Sequence, residues 1–117
     1  MNYFSARLLV VCLVDDGKPK KKNTCDYPFI VFKAENDEQA FQKALELGKK
    51  QETEYKNHKG QFVRWAFVKV EEIWNLGNEI DGLEIGSLLD VWKTDEPMAY
   101  GKIFEPEREM PVFSEKP

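Results

Sequence analysis

An alternating segment near the start of the chain, from Tyr3 to Val14, constrains the fold more than any other feature. One face of this segment begins with polar side chains and becomes apolar at Leu9, Val11 and Leu13. Because successive strand side chains point to opposite faces, a strand with this pattern needs cover on both sides. The sequence therefore predicts an interior strand of a sheet. The opposite face is apolar throughout: Phe4, Ala6, Leu8, Val10, Cys12 and Val14.

A second strand and a helix follow. Residues 15–24 contain Gly, Pro and four Lys, which is typical of a solvated hairpin loop. Phe29 to Ala34 has strand composition and is entered through Pro28, since a missing N–H is tolerated at the start of a strand. Asn36 with Gln39 three residues later predicts a helix N-terminus with a capping box.

The expected helix continues to a stop at residues 57–60, where Gly60 follows two cationic side chains. We expect its buried stripe to place Phe41 and Leu45 in the core against the first strand. Gly48 is expected to allow close approach of helix and sheet. The stripe is read from these apolar positions: Phe41, Ala44, Leu45, Gly48 and Tyr55, widened by Ala40 and Leu47.

Two more strands are expected after the helix. Residues 62–74 return to strand composition, and Asp81-Gly82 is a strong hairpin signal before a fourth strand over 84–93. The order β-β-α-β-β predicts an α+β fold with a four-stranded antiparallel sheet and one main helix packed on one face. We expect a single domain over 1–94. A C-terminal extension over 95–117 is expected to add a short edge strand at 100–104 and then an extended tail.

Composition excludes several classes of function. With 17 basic and 21 acidic residues, the net charge of −4 disfavours nucleic-acid binding. A charged fraction of 32% and a mean hydropathy of −0.57 argue against a membrane-embedded protein, and the apolar run from Leu8 to Val14 is too short to span a bilayer. The location is expected to be cytoplasmic, with Cys12 and Cys25 as reduced thiols and Cys12 buried. With one His and two Cys, no catalytic, cofactor-binding or metal-ligating residue is assigned.

Four sequence stretches resemble a bacterial family of small α+β domains of unknown function, family 4288, over about residues 2–92. The most specific of them are Arg64-Trp65-Ala66-Phe67-Val68 and Asp81-Gly82-Leu83-Glu84-Ile85. The other two are residues 3–8 and 40–50. The resemblance implies a compact domain and transfers no catalytic residue.

Two functional hypotheses remain open. One helix covers only one face of four strands, so apolar side chains on the other face need a partner, a ligand or the tail. This favours a non-catalytic binding or interaction module that acts through a sheet face or edge, as a homodimer or with an unknown protein partner. The alternative is a small metal-dependent or acid–base enzyme that uses the acidic residues of the 71–90 hairpin with Arg64. The candidate interaction surface consists of Leu9, Val11, Leu13, Arg64, Trp74 and Trp92.

Overall fold

The computed structural model describes residues 1–87 and 89–114, and the chain divides into two units, Met1–Ser87 and Leu88–Pro117. The first unit is α+β with an antiparallel sheet and one helix, as the sequence predicts. The sheet has five strands, so the expected count of four is wrong. The elements are β1 (Asn2–Val14), β2 (Cys25–Asp26), β3 (Phe29–Ala34), α1 (Asp37–Lys50), β4 (Thr53–Lys56) and β5 (Phe62–Gly77).

Strand β1 is the interior strand that its alternation predicts. It pairs with β5 on one side and with both β2 and β3 on the other, while β4 flanks β5 at the far edge. The pairs Val10↔Asp26 and Arg7↔Phe29 follow one continuous register. Strands β2 and β3 are therefore successive parts of one edge.

Helix α1 begins as expected. The Asn36 side chain accepts a hydrogen bond from the Gln39 N–H at 2.8 Å, and the Gln39 side chain accepts from the Glu35 N–H at 2.6 Å. Asn36 satisfies a backbone donor of the first turn, whereas Gln39 binds the residue before the N-cap instead of the N-cap N–H of the expected capping box. Acidic residues in the first turn and lysines in the last complement the helix dipole.

The buried stripe of α1 is rotated from the expected one. Its buried residues are Ala40, Ala44 and Gly48, whereas Phe41 is 46% exposed and Leu45 is only partly buried. The prediction of Phe41 as a core residue is therefore wrong. Small residues lie against the sheet because the strands already supply the large side chains of the core. That core consists of Phe4, Ala6, Leu8, Phe32, Ala34, Ala40 and Ala44.

The helix also ends earlier than expected. It stops at Lys50, and Thr53–Lys56 forms β4, which pairs antiparallel with β5. Residues 57–60, interpreted as the helix stop, form the hairpin turn between the two strands. Gly60 adopts a φ of 77° there, and its N–H donates to the Asn57 carbonyl at 2.9 Å. A β-branched residue and an aromatic residue at 53 and 55 suit a strand better than a helix end.

The second expected hairpin forms only its turn. The Leu83 N–H donates to the Ile80 carbonyl at 3.1 Å, and Gly82 has a φ of 77°. The expected strand over 84–93 is wrong for its described residues, 84–87 and 89–93, which adopt no regular structure, and Leu88 lies outside the described residues. Strand β5 instead runs past Trp74 to Gly77.

The second unit contains no strand within its described residues, so the expected edge strand at 100–104 is also wrong. It contains a turn in which the Lys102 N–H donates to the Ala99 carbonyl at 3.0 Å. The rings of Trp92 and Phe104 lie 6.3 Å apart. The tail beyond residue 114 lies outside the described residues, and the boundary at residue 94 stays a prediction.

Across residues 1–87 and 89–114, no helix is long and apolar enough to cross a membrane.

Candidate binding site on the sheet

The two faces of the sheet differ in what covers them. Phe4, Ala6 and Leu8 pack with the helix, so even-numbered residues of β1 face α1. Because side chains alternate along a strand, odd-numbered residues of β1 and their cross-strand partners lie on the opposite face. This surface, called here the helix-free face, comprises Tyr3, Ser5, Arg7, Leu9, Val11 and Leu13, then Cys25, Phe29, Val31 and Lys33, then Arg64, Ala66, Lys69, Glu72 and Trp74.

Five of the six candidate surface residues share the helix-free face. Leu13 pairs with Arg64, and Trp74 pairs with Ser5 four residue pairs beyond Leu9 in the same ladder. Leu9, Val11 and Leu13 are partly buried, and Arg64 is exposed. Trp92 lies in the second unit. The register therefore brings together the apolar side chains of β1 with one arginine and one indole of β5.

A cleft of about 460 Å³ lies at one end of the helix-free face. Arg7 and Ser5 contribute from β1, and the chain after the Ile80–Leu83 turn contributes residues 84–87. The rings of Phe29 and Trp74 stack with centroids 6.3 Å apart and an interplanar angle of 23°. The lining residues are Ser5, Arg7, Phe29, Trp74, Leu76, Glu84, Ile85, Gly86 and Ser87.

The hydrogen-bonding groups and the positive charge of the Arg7 guanidinium are only partly satisfied by neighbouring protein groups. Its Nε is buried and has no hydrogen-bond partner among the described residues. Its Nη2 lies 3.6 Å from Oε2 of Glu72, an ion-pair separation that is too long for a hydrogen bond. The Trp74 ring lies 5.8 Å from the guanidinium carbon, within cation–π range. The cleft thus presents a positive charge beside two stacked aromatic rings.

Two carboxylates of residues 71–90 lie beside cationic side chains. Glu72 lies beside Arg7, and Glu71 lies 3.9 Å from the ammonium of Lys69. Glu84 lines the cleft. Within residues 1–87 and 89–114, no group of three His, Cys, Asp or Glu side chains is arranged to hold a metal ion. The hairpin on which the acidic hypothesis depends is not formed by the described residues.

The lysine-rich loop borders a second cleft, of about 490 Å³, with Lys18, Lys20 and Lys22 in its lining. The Lys18 N–H donates to the Asp16 carboxylate at 2.9 Å, and the Lys20 ammonium lies 3.3 Å from it. These contacts, the backbone hydrogen bond first, hold the pKa of Asp16 below its ordinary value. One of the four positive charges is therefore paired within the loop.

A match to a family model covers most of the first unit. The family described as Domain of unknown function (DUF4288) matches residues 3–87. The chain belongs to this family. No curated protein and no solved structure matches the chain. The family membership confirms the resemblance carried by the Arg-Trp and Asp-Gly stretches, and the matched residues include the helix-free face and its cleft.

Of the nine residues that line the cleft, the candidate surface of this DUF4288 domain included only Trp74, and it missed Arg7 and Phe29 in particular. Arg7 is the only charged residue of the interior strand β1, and that exception is a usable signal. Phe29 could not be paired with Trp74 from the sequence, because their proximity depends on two strand registers. The β1–β5 ladder also contains irregularities between Arg7 and Leu8 and between Leu9 and Val10.

The two cysteines of the DUF4288 domain lie on opposite faces of the sheet. Cys25 pairs with Val11, so its side chain shares the helix-free face, whereas the side chain of Cys12 points to the helix side. A disulfide between them is incompatible with this register, and both are free. Cys12 is only partly buried, so the expectation of a hidden thiol is wrong. A hydrogen bond with Cys25 is the main cause of a raised pKa at Tyr27.

Proposed function

We propose that this DUF4288 domain is a non-catalytic binding module that recognises a carboxylate-bearing apolar ligand on its helix-free face. The observation that carries the proposal is the incompletely paired guanidinium of Arg7 beside the stacked rings of Phe29 and Trp74. A guanidinium matches the fork of a carboxylate, and aromatic walls suit a planar or apolar body.

The charge of the cleft favours a single negative charge on the ligand. Glu84 lines the same cleft, and Glu72 lies beside Arg7, so a dianion such as a phosphate would meet two carboxylates. A monocarboxylate brings a single negative charge, which matches the single guanidinium of Arg7. The hydroxyls of Ser5 and Ser87, which also line the cleft, are suited to a second oxygen of the ligand.

The carboxylate could come from a free small molecule or from the C-terminus of a peptide. Both supply the same group to Arg7, and binding assays with two probes distinguish them. Naphthoate represents the small molecule, with naphthylmethanol as its neutral control. N-acetylphenylalanine represents the peptide terminus, with its amide as the neutral control.

The test compares Arg7→Gln with Arg64→Gln in NMR titrations with these probes. Arg64 lies on the same face but outside the cleft lining. Loss of a charge-assisted hydrogen bond predicts at least about tenfold weaker binding for Arg7→Gln and unchanged binding for Arg64→Gln. The proposal fails if neither acid binds saturably, if the neutral controls bind equally well, or if both variants have the same effect.

The proposed location is the cytoplasm. Support comes from Cys12 and Cys25, which are free and placed on opposite faces of the sheet. Such unpaired thiols are usual in a reducing compartment.

A further inference from the structure

One edge of the sheet presents unpaired backbone groups. Among the described residues β3 pairs only with β1, and the even-numbered residues of this edge direct their backbone groups inward. The Leu8 N–H donates to the Pro28 carbonyl at 2.9 Å, and the Cys12 N–H donates to the Thr24 carbonyl at 2.8 Å. Because these directions alternate along an antiparallel strand, residues 29, 31 and 33 point their N–H and C=O groups outward.

Side chains bind outward-pointing backbone groups at both ends of this edge but not in its middle. The Tyr27 N–H donates to the Asp26 carboxylate at 2.9 Å, and the Lys43 ammonium donates to the Lys33 carbonyl at 2.8 Å. Between these contacts, the outward backbone groups of residues 29–31 have no partner among the described residues. The side chains of Phe29 and Val31 are 56% and 43% exposed. An apolar edge with free backbone groups is a template for strand pairing.

We propose that two copies of this chain pair antiparallel through β3, with Val31 opposite Val31 of the partner subunit. A pairing centred on Phe29 would bring the Tyr27 N–H into the ladder, and Asp26 already binds that donor. A pairing centred on Val31 requires only that the flexible Lys43 side chain leave the Lys33 carbonyl. This inference goes beyond the proposed function, since Val31 does not line the cleft.

Self-pairing in this register keeps like charges apart, which supports a second copy as the occupant. Lys33 is the only charged residue among the three outward positions. A twofold pairing about Val31 sets it opposite Phe29 of the partner subunit instead of opposite its own copy. Lys33 already makes this type of contact, since its ammonium lies 4.9 Å from the Tyr3 ring centroid. The pairing makes the two sheets continuous and joins the two helix-free faces on one side.

The test is a charge exchange at the twofold axis. Val31→Lys and Val31→Glu each place like charges directly opposite one another in the homodimer, which destabilises a cross-strand pair. We expect each variant alone to raise the dimer dissociation constant at least about tenfold in sedimentation equilibrium. An equimolar mixture is expected to recover dimers, because Lys then faces Glu.

Val68 provides the matched control. It is 52% exposed and lies on β5, beyond the residues that pair with β4 and away from β3, so Val68→Lys and Val68→Glu should leave the dissociation constant of a β3-paired dimer unchanged. Thermal unfolding of each variant confirms that it is folded. The proposal is overturned if the natural chain stays monomeric, if the Val31 variants dimerise normally, or if their mixture fails to recover. Binding of an extended peptide at β3 by a chain that remains monomeric would assign the edge to another occupant and also overturn it.

Discussion

At position 48 the helix lies so close to the sheet that only glycine fits without a shift. A Cβ built at Gly48 would overlap the end of the Phe67 ring. We expect Gly48→Ala to lower the free energy of unfolding by about 1 kcal/mol, because overpacking costs about 1–3 kcal/mol and the better helix propensity of Ala offsets part of it. Urea unfolding measures the change.

A second substitution isolates the cause. Phe67→Leu removes the end of the ring, so Gly48→Ala should cost less in that background than in the natural chain. Gly101→Ala is the control, since a Cβ there meets nothing within 4 Å. Equal losses for Gly48→Ala in both backgrounds would show that the ring does not limit the approach of the helix.

Phe4 and Phe41 test where the core lies. Phe4 is 2% exposed and stacks on Phe32 at 6.2 Å, whereas Phe41 is 46% exposed. We expect Phe4→Ala to cost about 3–5 kcal/mol and Phe41→Ala about 1 kcal/mol or less in urea unfolding. Similar losses at the two positions would mean that the helix buries a different stripe.

At the scale of elements, Glu52 joins the end of α1 to β5. Its carboxylate accepts from the Phe67 N–H at 3.1 Å and lies 3.4 Å from the Lys49 ammonium. These contacts, the Phe67 hydrogen bond first, hold the pKa of Glu52 below its ordinary value of 4.5. The folded pKa is therefore lower than the unfolded one. The stabilisation is fully present above the unfolded pKa and is lost as the pH falls through the folded pKa.

We therefore expect Glu52→Gln to unfold at lower urea concentration than the natural chain at neutral pH. The difference should shrink as the pH falls through the acid range where the folded carboxylate becomes protonated. Glu54→Gln, two residues further on, is the control and should leave the urea midpoint at neutral pH unchanged. If the difference in urea midpoint between Glu52→Gln and the natural chain stays constant with pH, this hydrogen bond does not depend on the charge of Glu52.

The elements also show which local sequence signals are sufficient to predict where an element begins or ends. Asn36 and Gln39 identify the helix start because capping depends on neighbouring residues alone. The helix end was missed because Glu52 and Lys56 match a helical ion pair, whereas the competing β4–β5 pairing depends on residues beyond the turn. The Asp81-Gly82 turn was predictable for the same local reason as the cap. Whether a strand forms after a turn depends on tertiary contacts, and no local pattern encodes those.

At the scale of the molecule, the alternation of β1 predicted both an interior strand and a face that α1 leaves uncovered. The surface residues on β1 and β5 were therefore accessible from the sequence, since alternation assigns each to a face. The cleft could not be predicted from the sequence. The stacking of Phe29 on Trp74 depends on two strand pairings, and the position of residues 84–87 depends on tertiary contacts. A five-stranded sheet with one helix retains the α+β class while the strand count changes.

The most direct test of binding on the helix-free face is a backbone-amide NMR map of the natural chain with naphthoate added. Binding at Arg7 predicts saturable shift changes concentrated at Ser5, Arg7, Phe29 and the Trp74 indole, with the lysine loop unchanged. Changes centred on residues 18–22 would place the anion in the other cleft. That result, or the absence of saturable changes, would rule out carboxylate binding on the helix-free face.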